Sequence, residues 1–153
     1  RDSPSLTRIR ETTARFLNVP SEQISVKVFQ DKATGVKDGK RRYGDIAAVK
    51  VQTANGDVHQ PPTRDLVALQ AKIIEESPSL TRILYAVHET VQKRPYVIAI
   101  RAIQTKDFLT ATVAEIPRAT LSQTAQKILK ACPNVSSVYY DVTPKPPATI
   151  EME

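Results

Sequence analysis

Lys145 and Glu151 stand six residues apart in TPKPPATIEME, the final stretch of the chain, with Pro146 and Pro147 between them. Pro144, Pro146 and Pro147 fix their own φ angles and reduce the entropy lost when the segment docks, so a cation and an acceptor are held on a stiff arm. A frayed proline-rich terminus has the same composition, and residue types alone leave both readings open. Elsewhere, chemistry-bearing groups are scattered. His59 falls in a loop and His88 at a strand end, each without the second histidine or cysteine that metal spacing requires. Cys132, the single cysteine, falls at a predicted helix C-terminus, where the helix dipole disfavours a thiolate, and on an apolar stripe, which makes it a buried structural residue. Glu75 and Glu76 adjoin near a helix end and read as solvated charges. With four glycines in all, the chain has no glycine-rich phosphate loop.

The elements that must position the arm follow from periodicity. The heptapeptide SPSLTRI occurs at residues 3–9 and again at 77–83. The first copy runs into a 3.6-residue period, with Leu6, Ile9, Thr13, Phe16 and Leu17 on one face; the second runs into a β-like stretch. Ile24, Val26 and Val28 alternate with Ser25, Lys27 and Phe29, then comes KDGKRR, where Gly35 and Gly39 mark a loop, and then YGDIAAVKVQT, which alternates again: a long β-hairpin. Thr63 is placed to cap a helix bearing Leu66, Leu69, Ile73 and Ile74, which stops near Ser77–Pro78. LTRILYAVH and RPYVIAIRAIQT read as strands, TLSQTAQKILKACP as a helix and VSSVYYDVT as a last strand.

AKIIEESPSLTRILY, from Ala71, and QKILKACPNVSSVYY, from Gln126, superimpose helix end, loop and strand start at a constant lag of 55 residues. The partner of Ser77 is therefore Cys132, and the exact heptapeptide copy is incidental, because a packed repeat preserves period rather than letters. These patterns predict an α+β fold in two layers: two strand-helix-strand half-repeats, with a mainly antiparallel sheet covered by helices on one face. The predicted organisation is a helical lead-in over 1–23, a first half-unit over 24–93 and a second over 94–153 that carries the tail. Tyr139 and Tyr140 point to opposite sheet faces, so at least one lies away from the helices, where a second copy of the chain is one possible cover.

At 153 residues, 41% hydrophobic and 25% charged, the chain is long enough to bury a real core. It contains no apolar run long enough to span a membrane and no signal-peptide h-region, so a membrane partner is excluded and a cytoplasmic, reducing location is expected. A start at Arg1 rather than methionine suggests a processed product or an excised piece of something longer. The +6 formal charge and pI of 9.6 favour anionic partners without choosing among them.

The closing VSSVYYDVTPKPPATIEME resembles the carboxyl-terminal signature of glutamine-hydrolysing GMP synthases, in which an RVVYD strand precedes SKPPATIEWE. YVIAIRAIQTKDFLTA is similar to the family's YVVALRAVTSEDGMTA, so the resemblance covers most of Tyr96 to Glu153. Ile24 to Val87, including SVKV and RRY, resembles the same module more loosely, and residues 1–23 carry little of it. The resemblance implies a homodimerisation and XMP-binding module of an enzyme that aminates XMP to GMP. ATP and Mg2+ are implied only for the complete enzyme, whose glutaminase and ATP-pyrophosphatase portions are the other implied partners. Neither a glutaminase cysteine context nor an SGGVDS-type loop has a counterpart here, so this piece is expected to be inactive alone. The family's XMP contacts map onto Lys145 and Glu151, and Arg101 matches the arginine of its ALRAV strand. Met152 stands where the family has tryptophan. Two other readings stay open: an RNA-binding module of the K homology type, for which GVKDG is a poor match to the required GXXG loop and which makes nucleic acid the less favoured partner, and a purely structural scaffold.

Overall fold

A computed structural model describes residues 4–152; Ser3, which opens the first heptapeptide, and the terminal Glu153 lie outside the described residues. The elements run α1 (Leu6–Leu17), a 3-10 turn (Ser21–Gln23), β1 (Ile24–Lys37), β2 (Lys40–Val51), α2 (Thr63–Glu76), β3 (Leu80–Glu89), β4 (Tyr96–Ile100), β5 (Ile103–Gln104), β6 (Thr112–Val113), α3 (Arg118–Ala131) and β7 (Val135–Asp141). Five strands form one sheet in the order β1-β2-β3-β7-β4, and β5 pairs with β6 separately. The β1–β2 and β3–β7 pairs are antiparallel, whereas β2–β3 and β4–β7 are parallel. Each parallel pair is joined through a crossover helix, α2 or α3, as a parallel connection demands.

The two halves thus meet at the antiparallel β3–β7 pair, where Tyr85 faces Tyr140 in register. These tyrosines are themselves 55 residues apart, so equivalent positions of the repeat lie side by side at the middle of the sheet. The correspondence extends through both units. Pro62 and Pro117 occupy the N-cap positions, and Leu66 and Leu121 are buried one turn later. Ser77 and Cys132 are the C-caps, their N–H groups donating to Ile73 and Ile128 respectively (both 2.9 Å). Most tellingly, the Tyr85 hydroxyl donates to the carbonyl of His59 (2.5 Å) and the Tyr140 hydroxyl to that of Ala114 (2.8 Å). Each tyrosine ties its strand to the loop that enters the helix packed over it. Burial pushes both hydroxyls above the ordinary phenol range, which keeps them protonated as donors.

All three helices cover one face. Leu66, Leu69 and Ile73 of α2 and Leu121 and Ala125 of α3 pack on Val49, Val51, Ile83, Tyr85, Val138 and Tyr140, with Ile9 of α1 in the same cluster. Tyr139 lies on the opposite face with Ala33, Ile46, Ala48, Leu84 and Ala86, a cluster without helical residues, and stacks edge-on to Phe29 at 5.8 Å. That second face is already covered at its centre, since Tyr139 is 3% exposed.

Several local expectations are corrected. The hairpin tip is only Asp38–Gly39, both left-handed (φ 53° and 77°), so KDGKRR is mostly strand; such a two-residue turn matches the twist of the strands it joins. Gly35 is not a loop residue: it lies in β1, where an added Cβ would come within 2.7 Å of the Pro147 carbonyl. Thr63 is the first residue of α2 rather than its cap, and its hydroxyl meets the Tyr140 hydroxyl at 3.3 Å. Leu6 and Phe16 are each 44% exposed, leaving Ile9, Thr12 and Thr13 as the buried face of α1. RPYVIAIRAIQT breaks into β4 and β5 at Arg101–Ala102. Glu76 accepts from Thr12 (2.5 Å) and so is not simply solvated, whereas Glu75, exposed and 3.6 Å from Lys72, is the solvated charge expected. Cys132 is half-buried against the helical-face core.

Replacing either tyrosine hydroxyl removes its hydrogen bond to a loop carbonyl, which is left to find water, and at Tyr140 also the contact with the Thr63 hydroxyl. Tyr85→Phe and Tyr140→Phe are each expected to lower stability by about 1 kcal/mol in urea unfolding. Because the rings are cross-strand neighbours, the double variant should depart from additivity.

Candidate functional site

The tail does not fray. After β7 the chain turns back along the sheet: the Ala111 and Lys145 backbones exchange hydrogen bonds (3.0 Å each), the Val36 N–H donates to the Pro147 carbonyl (2.8 Å), and Gly35 bridges to Ala148. Ala148 and Thr149 are buried. The missing side chain at Gly35 is what lets the tail backbone lie against β1.

What fastens the tail is a charge cluster on the sheet face away from the helices. The side chains of Arg82 (β3) and Asp141 (β7) are both 0% exposed. Asp141 Oδ2 lies 3.7 Å from Arg82 Nε and 3.5 Å from Arg101 Nε. The remaining guanidinium nitrogens reach outward to backbone. Arg82 Nη1 donates to the Thr34 carbonyl (2.8 Å), and its Nη2 donates to the Thr149 hydroxyl and the Glu151 carbonyl (2.9 Å each). Arg101 Nη1 donates to the Ile150 carbonyl, and its Nη2 to the Thr143 carbonyl (3.1 Å). The Thr149 hydroxyl in turn donates to the Glu151 carbonyl (2.5 Å). Asp141 Oδ1 accepts from the Thr143 N–H (3.0 Å), which starts the tail's turn away from β7. Burial pushes the Asp141 carboxyl above the ordinary carboxylate range, opposed by Arg101, by Thr143 and by Arg82, in that order.

This cluster brings together two of the three residues singled out in the sequence, and in an unforeseen way. Arg101 is 12% exposed in its side chain, and all three of its guanidinium nitrogens face protein oxygens; it holds the backbone next to Glu151 instead of projecting outward. Glu151 is held by its carbonyl and leaves its carboxylate exposed. Lys145 sits at the other end of the arm, where its Nζ donates to the Phe108 carbonyl (2.5 Å). Phe108 has a left-handed backbone (φ 63°) in a loop braced by Thr105 and Asp107. Met152 is 44% exposed. His88 Nε2 lies 3.0 Å from the Gln126 amide. Among the described residues no group of three or more His, Cys, Asp and Glu side chains could hold a metal ion.

Arg82 escaped sequence reasoning because it is embedded in an apolar strand. A signal was present: at the repeat lag, Arg82 corresponds to Ser137 and Asp141 to Ala86, so a charge appears in one half where the other carries a small residue.

Residues 86–152 match the family described as GMP synthase C terminal domain. The chain is 39% identical over 130 residues to a protein of Saccharolobus islandicus (strain M.14.25 / Kamchatka #1) named as a subunit of glutamine-hydrolysing GMP synthase, covering 85% of this chain and 32% of that protein. It is 35% identical over 130 residues to the protein of the same name from Sulfurisphaera tokodaii, covering 84% and 31% respectively. Against the protein named GMP synthase [glutamine-hydrolyzing] of Methylibium petroleiphilum, identity is 52% over 58 residues, 38% of this chain and 11% of that one. The chain spans about a third of the length of the curated relatives it matches over most of its own length.

Removing one member of a buried charge cluster strands the others. Arg82→Met is expected to cost about 3–5 kcal/mol, against about 1 kcal/mol or less for Lys50→Ala at the more exposed Lys50–Glu89 pair. Urea denaturation of the two variants tests this, and limited proteolysis should detect release of the segment after Pro144 in the first only.

Proposed function

We propose that this chain, whose residues 86–152 belong to the GMP synthase C-terminal domain family, is the dimerisation and XMP-binding module of a GMP synthase. The observation that carries this reading is the immobilised tail. A flexible terminus would lose much conformational entropy on binding a ligand; here that ordering is built into the fold, with Lys145 and Glu151 displayed at its two ends. The Lys145 ammonium rests on a neutral carbonyl and gains by exchanging it for a phosphate oxygen, a charge-assisted contact. The exposed Glu151 carboxylate accepts hydrogen bonds from the N–H and O–H groups of the nucleotide. Arg101 belongs to the same site as the clamp on Ile150.

The amination itself, with its ATP and Mg2+, is assigned to the glutaminase and ATP-pyrophosphatase portions. No observation favours the RNA-binding alternative: the glycine-containing turn at Asp38–Gly39 joins two strands, whereas that class needs its loop between helices.

Dimerisation draws support from β4. It is the terminal strand of the sheet, with Tyr96 63% and Val97 37% exposed. An exposed edge with apolar side chains is a ready template for a second chain.

In the complete enzyme, Lys145→Ala should weaken XMP binding by about 1.5–3 kcal/mol, tenfold or more in Kd by calorimetry. An unchanged affinity removes Lys145 from the site. Light scattering at high micromolar concentration should return twice the 17.0 kDa chain mass, and Val97→Asp should shift it toward monomer. A wild-type monomer under those conditions sinks the dimerisation half of the proposal.

A further inference from the structure

Arg82 has no place in the nucleotide contacts proposed above, yet it is the largest fully buried side chain among the described residues. A guanidinium taken out of water is expensive, and for stability alone a set of apolar side chains replacing the whole charge cluster does as well or better. Its position is informative for another reason. From one strand it reaches three separate pieces of the chain: the end of β1 through the Thr34 carbonyl, β7 through Asp141, and the tail through Thr149 and Glu151. The tail contact falls on the carbonyl of the residue whose carboxylate is displayed.

We infer that Arg82, with Asp141 and Thr149 as its partners, is a positioning residue for nucleotide binding: it fixes the backbone of Glu151 and so sets where that carboxylate stands relative to Lys145. This rests on the reading of the tail as the XMP site. Arg82 touches no ligand; it acts through the main chain of Glu151, as Arg101 does through Ile150. A planar fork is needed because the acceptors lie in different directions. Nη1 and Nη2 serve β1 and the tail while Nε faces the carboxylate, a division that a lysine, as a single point charge, cannot reproduce. The assignment changes what Arg101 is expected to do as well. A residue whose three nitrogens are committed to Asp141, Ile150 and Thr143 orients the tail in the same way, from the other side of Asp141.

The test uses the complete enzyme with three variants: Arg82→Lys, Thr149→Val and Lys145→Ala. Thr149→Val removes an Arg82 acceptor and the hydroxyl that bonds Glu151 while keeping the shape, so it survives as a probe if Arg82→Lys fails to fold. The expected result for both clamp variants is faster amide exchange at residues 150–152 and a roughly tenfold rise in KM for XMP with kcat little changed, the signature of lost binding that is equal in ground and transition states. A role confined to folding would instead lower the melting temperature and the active fraction and leave KM where it was. That outcome, or a mobile tail with unchanged KM, overturns the inference while Lys145→Ala still weakens XMP binding. If Lys145→Ala also leaves XMP binding intact, the underlying reading of the tail falls, and this inference falls with it.

Discussion

One carboxylate held between two guanidinium groups, away from water, is the constraint from which the tail's arrangement follows. Asp141 has 0% side-chain exposure, with Arg82 at 3.7 Å and Arg101 at 3.5 Å from it. Such clusters are poor sources of net stability, because desolvating three charges offsets most of their attraction. What they supply is direction. The arginines face inward with Nε, so their remaining nitrogens must find acceptors in fixed places, and the acceptors they find include main-chain carbonyls of the tail and of β1 and the Thr149 hydroxyl. Main-chain recognition holds the path of the tail and leaves the outward side chains, Lys145 and Glu151, unconstrained by the anchor.

The anchor also exploits an asymmetry in a nearly symmetric frame. Tyr85 and Tyr140 tie equivalent loops in the two halves through equivalent hydrogen bonds, and both helices are capped and terminated alike. Symmetry fails where the tail leaves β7. Arg82 comes from the first half and Asp141 from the second, and their repeat partners, Ser137 and Ala86, carry no charge. A duplicated scaffold thus supplies rigidity, and two charged residues at the shared β3–β7 junction create an anchoring edge that neither half contains alone. Gly35 completes it, since any side chain there would collide with the tail's backbone.

Much of the frame was legible. Apolar alternation marked the hairpin, the 3.6-residue stripes marked the three helices, and the lag of 55 residues tied Ser77 to Cys132, which proved to be matching helix caps. Periodicity reports which face of an element is buried, and these elements bury one face each. The failures share a cause. Gly35 looked like a loop glycine because local rules associate glycine with turns, whereas its role is to admit a segment from the far end of the chain. Thr63 looked like a cap because hydroxyls commonly fill that position, but Pro62 took it and left the hydroxyl to Tyr140. Leu6 and Phe16 fit the apolar stripe of α1 yet remain half out of the core, since a stripe does not say how far a neighbour reaches.

Chain order alone was enough for the two-layer α+β design and its internal repetition, because these depend on local periodicity and on turn chemistry. What holds the arm, and what Arg101 does, emerged with the folded chain. Both depend on which backbone carbonyls arrive within hydrogen-bonding distance of a buried guanidinium, and that is set by the register of β3 against β7 and by the return of the tail onto β1. No spacing along the chain records such a meeting.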